Sequence, residues 1–272
     1  MKGRVIYTPA GKAKEYAEHA ANFFVGCSNC CEYCYLKKGI GAKILGGNQP
    51  ALKRSLYDPS TAIKIFQREL EYHRKELRNA GIFFSFTTDP LLPETYALTH
   101  EAVKICQQYN IPVSILTKCA NGIDRFMEYS EQSKFDKSII ALGVTLTGCD
   151  DLEPYASPNK DRVKEIAVAH DKGYHTFASI EPLIARRFED AISIIKSSYA
   201  FIDLYKIGLE SGGKYMKRDL QYFYNKIIRY WDMYDNRPMI YWKNSIVKKL
   251  DLNREDMPDF CVDHKFNLFK IN

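Results

Sequence analysis

The feature that most constrains the fold is a regular alternation of short apolar, β-branched runs with segments of helical periodicity. Strands that alternate with helices pair in parallel through right-handed crossovers. Six such units are too few for a closed eight-stranded barrel. We therefore predict an α/β fold, a partial (β/α)6 TIM-like barrel over residues 1–216, with a C-terminal helical extension (217–272) packed on it. The predicted strands are Ala21–Gly26, Ile82–Phe86, Val113–Leu116, Ile139–Thr145, Thr176–Ile180 and Phe201–Ile207.

The helical segments carry their own start and stop signals. Asp58-Pro59 joins an N-cap residue to a proline at the first helical position and predicts a helix start. Gly81 and Gly173 stand where a helix is expected to end and turn into a strand. In such folds the chemistry belongs to the loops at the C-terminal ends of the strands.

Composition narrows the class of protein. The chain has 272 residues, and its formal charge of +6 permits an anionic partner without requiring one. No apolar run reaches the ~18 residues of a membrane span, and the N-terminus does not resemble a signal peptide. We expect a cytoplasmic monomer with no membrane association. Thiols stay reduced in the cytoplasm, so we expect the eight cysteines to be metal ligands, catalytic thiols or core residues.

Residues 26–35 read GCSNCCEYCY and follow the first predicted strand. Cys27, Cys31 and Cys34 give the spacing C-x3-C-x2-C, whereas Cys27, Cys30 and Cys34 give C-x2-C-x3-C. Three thiolates on a short loop can hold one iron–sulfur cluster. The segment therefore predicts a metal centre at the mouth of the barrel, with Cys30 as the spare thiol in the first spacing.

Two plainer interpretations of these cysteines remain open. A structural zinc site needs a fourth ligand and is usually built from two separated pairs. The nearest second pair is Cys261 with His264, which stands alone near the C-terminus. In the second interpretation, the cysteines bind no metal and are inert buried thiols.

The C-x3-C-x2-C loop, with Tyr33 directly before its last cysteine, resembles the radical S-adenosylmethionine (SAM) superfamily. The resemblance implies that Cys27, Cys31 and Cys34 bind a [4Fe–4S] cluster whose open iron chelates SAM. Reductive cleavage of SAM would then give a 5′-deoxyadenosyl radical that abstracts a substrate hydrogen. It also implies an electron donor such as flavodoxin or ferredoxin.

Further motifs extend the resemblance over roughly residues 21–210. Together they look like the branch related to spore photoproduct lyase, also called DNA-repair-photolyase-like. Each motif stands near a predicted strand end, and such a series is more specific than any single motif. The motifs are FSFTTDPLLPE (84–94), SILTKC (114–119), ALGVTLTG (141–148), DLEPYASPNKDRVKEI (151–166) and FASIEPLI (177–184).

The branch implies cofactor contacts at these strand ends. The implied contacts are Tyr33 and Tyr35 at the adenine, Thr87, Thr88 and Asp89 at the methionine end of SAM, Lys118 at its carboxylate, and Thr145 and Thr147 at its ribose or carboxylate. Plainer interpretations remain for each: Asp89-Pro90 is a common turn signal, and threonine is frequent in strands. A lysine at the end of an apolar strand is costly unless it meets an anion, but Lys118 could also extend to the surface.

The later strand ends carry charges whose role is open. Glu181, Lys206 and Glu210 are either cofactor or substrate contacts or a buried Lys–Glu arrangement that closes the barrel.

The sequence departs from the lesion-reversing lyase at the second strand. Where that enzyme has a hydrogen-returning cysteine, this chain has Phe86. Cys119, directly after Lys118, is the candidate catalytic thiol, although its side chain could equally belong to the core. The substrate remains open, with nucleic acid or a nucleobase derivative favoured by the resemblance. The alternatives are a non-catalytic zinc or Fe–S module that binds nucleic acid, and a phosphate-binding α/β enzyme.

The C-terminal segment contains two candidate contact surfaces. Tyr241, Trp242 and Lys243 could stack a base or plug the core. A set of basic residues suits either a nucleic-acid surface or a solvated helix face: Lys214, Lys217, Arg218, Lys226 and Arg229.

Overall fold

The computed structural model describes residues 3–39 and 41–270. These residues form ten strands: β1 (Ile6–Tyr7), β2 (Ala20–Ala21), β3 (Phe24–Val25), β4 (Ala51–Leu52), β5 (Ile82–Phe84), β6 (Val113–Thr117), β7 (Ile140–Thr145), β8 (His175–Leu183), β9 (Leu204–Leu209) and β10 (Met239–Trp242). The same residues form eight α-helices: α1 (Ala42–Leu45), α2 (Pro59–Ala80), α3 (Tyr96–Gln108), α4 (Ala120–Gln132), α5 (Asn159–Asp171), α6 (Phe188–Ser198), α7 (Lys217–Trp231) and α8 (Asn244–Leu250). None of the helices in this part of the chain is both long and apolar enough to cross a membrane.

Eight strands form one sheet in the order β1-β2-β5-β6-β7-β8-β9-β10. Only β1 runs antiparallel to its neighbour, and the other pairs are parallel. Helices connect the strands from β5 onward, as the alternating pattern predicts. The α/β class with a mostly parallel sheet is therefore confirmed.

Two predicted elements differ from the structure. The run Ala21–Gly26 is not one strand, because β2 ends before Asn22 and β3 pairs with β4 in a separate two-stranded sheet. The buried Asn22 side chain interrupts the run, since it accepts a hydrogen bond from Phe86 N and donates one to Tyr7. The segment predicted to be helical also contributes β10, whose aromatic and β-branched sequence suits a strand.

The start of α2 follows the predicted signal. The Asp58 side chain accepts a hydrogen bond from Thr61 N at 3.0 Å and caps the helix. The helix ends at Gly81, whose φ of +73° and close approach to Pro112 O disfavour any other residue. The chain then enters β5 directly.

The sheet is curved, with a concave inner face. In a flat sheet, β5 and β8 would lie about 14 Å apart, three spacings of about 4.8 Å. The Tyr16 ring lies 5.5 Å from Phe83 of β5, and its hydroxyl lies 2.5 Å from Ser179 of β8. One side chain thus contacts both strands. A small apolar cluster that includes Phe83, Phe177 and Leu268 fills part of this face, while the main core lies between sheet and helices.

Residues 8–19, the N-terminal strap, connect the two ends of the curved sheet. The strap joins β1 to β2 at one end of the strand order. Toward the other end, Glu15 accepts hydrogen bonds from Tyr241 and Asn244 N, and the Lys12 carbonyl accepts one from Lys243. Side-chain hydrogen bonds rather than strand pairing therefore link the strap to β10.

Candidate active site

A cavity of about 480 Å³ opens at the C-terminal ends of the parallel strands. This is a normal size for a ligand or cofactor site, and the position is where α/β folds bind ligands. Its wall combines residues of the cysteine loop (26–35), the strap and the ends of β5 to β9. Most predicted site residues lie in this wall: Cys27, Cys31, Cys34, Tyr33, Tyr35, Thr88, Asp89, Lys118 and Thr145.

Backbone contacts shape the cysteine loop. Gly26 has a φ of +80°, and a Cβ there would collide with the carbonyl of Gln49. Cys27 N donates to Gly47 O at 2.9 Å, and Cys34 N donates to Cys31 O at 3.2 Å. The loop is thereby folded back so that its cysteines border the cavity.

The arrangement of the thiols bears on the kind of metal centre that the loop could hold. No three His, Cys, Asp or Glu side chains in residues 3–39 and 41–270 gather as ligands of one metal ion. Cysteines of a cluster each bind a different iron, so they need not converge on one point. Burial raises the pKa of Cys27 to about 12 and also raises the pKa of Cys31. A bound metal would have to displace those protons.

Asp89 joins three parts of the site. Its carboxylate accepts hydrogen bonds from Asn29 of the cysteine loop, from Thr117 Oγ1 at 2.6 Å and from Lys118 N at 2.7 Å. It therefore fixes the loop to the ends of β5 and β6, in addition to bordering the cavity. The neighbouring Thr88 has a buried hydroxyl with no hydrogen-bond partner among the described residues.

Lys118 extends into the cavity from the end of β6. Its Nζ lies 5.6 Å from the centre of the Tyr33 ring. Among the described residues its ammonium has neither a hydrogen-bond acceptor nor a carboxylate within ion-pair distance. Burial lowers the pKa of Lys118, but the nearby Cys31 and Glu153 outweigh burial and raise it overall. The Lys118 ammonium therefore lies beside the Tyr33 ring, with no anion paired to it among the described residues.

Three predicted residues lie outside this wall. Thr87 Oγ1 donates to Phe24 O at 2.5 Å, and Thr147 Oγ1 accepts from Cys149 N at 3.2 Å. Cys119 directly precedes α4, and its N–H donates to Thr117 Oγ1. None of the three is among the described residues that border the cavity. Their predicted roles therefore have no support from position, least of all the catalytic role of Cys119.

The opposite wall contains a charged network around Tyr16. The sequence indicates Glu181, Lys206 and Lys243 as candidates, but it does not indicate Tyr16 or Ser179. The Tyr16 hydroxyl bonds to Ser179 and to Glu181 at 2.9 Å, and Lys243 donates to Glu181 at 2.5 Å. Lys206 donates to the Tyr16 carbonyl at 2.9 Å. Burial, and then the charge of Lys243, lowers the pKa of Lys206 to about 7. A buried Lys–Glu arrangement is therefore present, although Lys243 and not Lys206 bonds to Glu181.

The other charge and stacking candidates have plainer roles. Glu210 borders the cavity and pairs with Lys38 at 2.9 Å. Tyr241 and Trp242 of β10 and the following Lys243 are almost fully buried, which supports the packing role over base stacking. On α7, Lys217 pairs with Asp251, Arg218 with Asp219 and Lys226 with Glu189.

The fold and site thus define an α/β protein with a cysteine loop beside a cofactor-sized cavity. No family model matches the chain. It is 24% identical over 180 residues to an uncharacterised protein of Methanocaldococcus jannaschii, MJ0683, covering 62% of this chain and 61% of that one.

Solved structures of SuiB from Streptococcus suis share the fold. The SAM-bound structure matches with a TM-score of 0.61, and the structure bound to the precursor peptide SuiA matches with 0.59. Each match covers 85% of this chain at 14% identity. The chain spans about half the length of SuiB and about three fifths of the archaeal relative.

Proposed function

We propose that this chain is a radical SAM enzyme of the spore-photoproduct-lyase-like branch. The observation that carries the proposal is the shared cavity wall. The three cysteines of the C-x3-C-x2-C loop border the same cavity as Thr88, Lys118 and Thr145 from three successive strand ends. The fold shared with SuiB, which was crystallised with SAM, supports it. We infer further that the curved sheet is the partial barrel of residues 1–216.

Cys27, Cys31 and Cys34 would hold a [4Fe–4S] cluster. When bound, the cluster would supply the electron that breaks the sulfonium bond of SAM and so yields the 5′-deoxyadenosyl radical. Lys118 would face the SAM carboxylate, because its ammonium has no anion among the described residues. Thr88 would offer its unpartnered hydroxyl to the same end of SAM. The cavity walls would keep water away from the radical.

Tyr33 and Tyr35 would frame the adenine. Burial, and then the nearby Glu153, holds the pKa of Tyr33 above its usual value, so it stays a neutral phenol. Tyr35 donates to the Phe86 carbonyl, which ties the end of the cysteine loop to the chain after β5. Apolar and aromatic surface is thereby kept beside the cysteines.

The substrate would lie against the strap wall, near Tyr16 and Glu181. The branch resemblance favours a nucleic acid or nucleobase derivative as the substrate, whereas SuiB was crystallised with a peptide. Phe86 replaces the lyase thiol and Cys119 lies outside the cavity, so we do not extend lesion reversal to this chain. We expect a cytoplasmic protein reduced by a flavodoxin or ferredoxin.

Metal analysis of the protein purified without oxygen tests the proposal. We expect a brown protein with about four irons per chain after reconstitution. A colourless protein that retains zinc at the same cysteines would instead establish the non-catalytic metal-binding module. A protein without metal, with unchanged folding after Cys34→Ala, would favour an α/β enzyme with incidental cysteines.

A further inference from the structure

The loop between β7 and α5 carries a motif whose role the proposed function leaves open. Residues 151–166 include Glu153 and Arg162, whose side chains form an ion pair that is fully buried on both sides. Buried ion pairs give little net stability, because desolvation offsets the attraction. The role of the Glu153–Arg162 pair is therefore to be found in what its two side chains position rather than in the stability of the fold.

Backbone carbonyls fix the position of the arginine. Arg162 donates to the carbonyl of Thr145 at 2.6 Å, at the end of β7, and to that of Ser157 at 2.7 Å. Its remaining nitrogen donates to Glu153. The Ser157 N–H in turn donates to Lys118 O at 3.1 Å. The guanidinium is thus anchored to β7, and the loop that precedes α5 is anchored to the end of β6.

The glutamate connects this anchor to the cysteine loop. Glu153 accepts a hydrogen bond from the Tyr33 hydroxyl, and Glu32 N donates to Leu152 O at 3.0 Å. Tyr33 stands between Cys31 and Cys34 in sequence. A single buried carboxylate therefore fixes the aromatic residue that precedes the last cysteine.

The ring that Glu153 fixes is the one that Lys118 faces. The Lys118 ammonium lies 5.6 Å from the Tyr33 ring centre, within the range of a cation–π contact. If the Tyr33 side chain could adopt another rotamer, its ring would no longer fix the position of the Lys118 ammonium. The contacts form one connected path from Arg162 through Glu153 and Tyr33 to Lys118.

We propose that Glu153 is a positioning residue: through the Tyr33 hydroxyl it fixes the ring that holds Lys118 toward the carboxylate of SAM. This inference rests on the proposed function, since it takes SAM as the ligand of Lys118. Glu153 itself does not border the cavity among the described residues. Its effect on SAM is therefore indirect.

Tyr33→Phe tests the proposal, because it removes only the hydroxyl. We expect iron content to stay at the wild-type level, since all three cysteines remain. The dissociation constant of SAM should rise about five- to tenfold, less than the loss of a charged hydrogen bond to SAM itself would cause, because Lys118 remains and only its position changes. The constant is measured by titrating the reduced protein with SAM and following its electron paramagnetic resonance signal.

Two further variants separate positioning from general damage. Glu153→Gln keeps the shape and an acceptor oxygen, so its SAM affinity should fall less than in Tyr33→Phe, and the double variant should be no worse than Tyr33→Phe alone. Tyr109→Phe is the matched control. It removes a tyrosine–glutamate hydrogen bond to Glu71 on the exposed helix surface, and it should leave SAM affinity unchanged.

The outcomes are distinct. Wild-type SAM affinity in Tyr33→Phe with full iron content would overturn the positioning role. Loss of iron and thermal stability with unchanged affinity in the loaded fraction would show that the path is only structural. A wild-type protein that binds no cluster would refute the proposed function instead, before any variant is compared. If Glu153→Gln does not fold, Tyr33→Phe still decides.

Discussion

The two walls of the cavity satisfy their polar groups differently. On the cysteine-loop wall, the Thr88 hydroxyl and the Lys118 ammonium have no hydrogen-bond partner among the described residues. On the strap wall, Glu181 is bonded to Tyr16 and Lys243, and Lys206 is bonded to the Tyr16 carbonyl. Unsatisfied buried groups are costly unless something completes them. Glu181 Oε1 also has no hydrogen-bond partner among the described residues, and Lys12 Nζ stands 3.9 Å from it. Under the proposed function a cofactor would complete the first wall, whereas most polar groups of the second wall are paired within the protein.

This contrast predicts that changes to the first wall alter cofactor binding and that changes to the second alter stability. The largest effect is expected at the cluster ligands. Cys34→Ser should reduce iron per chain to background, because a cluster held by two cysteines is not retained. Cys30→Ser is the matched control, and it should keep its iron. Equal iron loss in both variants would mean that the other spacing, with Cys30 as a ligand, is correct.

On the strap wall, Lys243→Met should destabilise the fold. Lys243 is fully buried and donates to Glu181 and to the Lys12 carbonyl. Removing one partner of a buried pair costs about 3–5 kcal/mol. Urea unfolding at neutral pH measures the loss. Lys226→Met, which removes the exposed pair with Glu189, should cost less than about 1 kcal/mol. Similar losses in both variants would contradict the contrast between the walls.

On the cysteine-loop wall, Lys118→Met should weaken SAM binding while leaving the fold and the iron content intact. A charged hydrogen bond contributes about 1.5–3 kcal/mol, so the dissociation constant should rise about 10- to 100-fold. Equilibrium titration with SAM checks this. Lys104→Met, on the exposed face of α3, is the control. Unchanged affinity in Lys118→Met would remove the lysine from the cofactor site.

The last effect, which is small when measured over a single pH unit, is a pH dependence of stability from Lys206. Its native pKa of about 7 lies below the unfolded value of about 10.4. Between these values the unfolded chain holds a proton that the native state releases, so the free energy of unfolding rises with pH. The free-energy cost of burying a protonated Lys206 is therefore fully present below pH 7 and decreases toward pH 10. Relative to Lys206→Met, the wild type should gain up to about 1.4 kcal/mol per pH unit in that window. A constant difference would show that Lys206 titrates normally.

The two walls also differ in how far the sequence predicts them. The cysteine-loop wall is predicted from local signals: the cysteine spacing, and the polar residues Thr88, Lys118 and Thr145 at or near the C-terminal ends of apolar strands. Parallel strands bring such ends together whatever the details of packing. Thr87 and Thr147 do not border the cavity among the described residues, because residues close together at a strand end point in different directions and spacing alone does not choose between them. Their cofactor roles remain predictions.

On the strap wall, Glu181 and Lys206 had a strand-end signal, but Tyr16 had none. Tyr16 and Glu181 are 165 residues apart, and their contact depends on the curvature of the whole sheet. The strand β10 was missed although Met239–Trp242 has strand-like composition, because the surrounding segment is rich in helix-forming residues. Glu153 and Arg162 were visible as a motif, but their pairing with Tyr33 depends on how two distant loops fold against each other.

The central claim is that the cysteine loop and the strand ends beside it form one site that cleaves SAM. The direct measurement is anaerobic reconstitution with iron and sulfide, followed by SAM and dithionite, with detection of 5′-deoxyadenosine. We expect wild-type protein to form 5′-deoxyadenosine and Cys34→Ser to form none. Wild-type protein that carries about four irons per chain yet forms no 5′-deoxyadenosine would contradict the account.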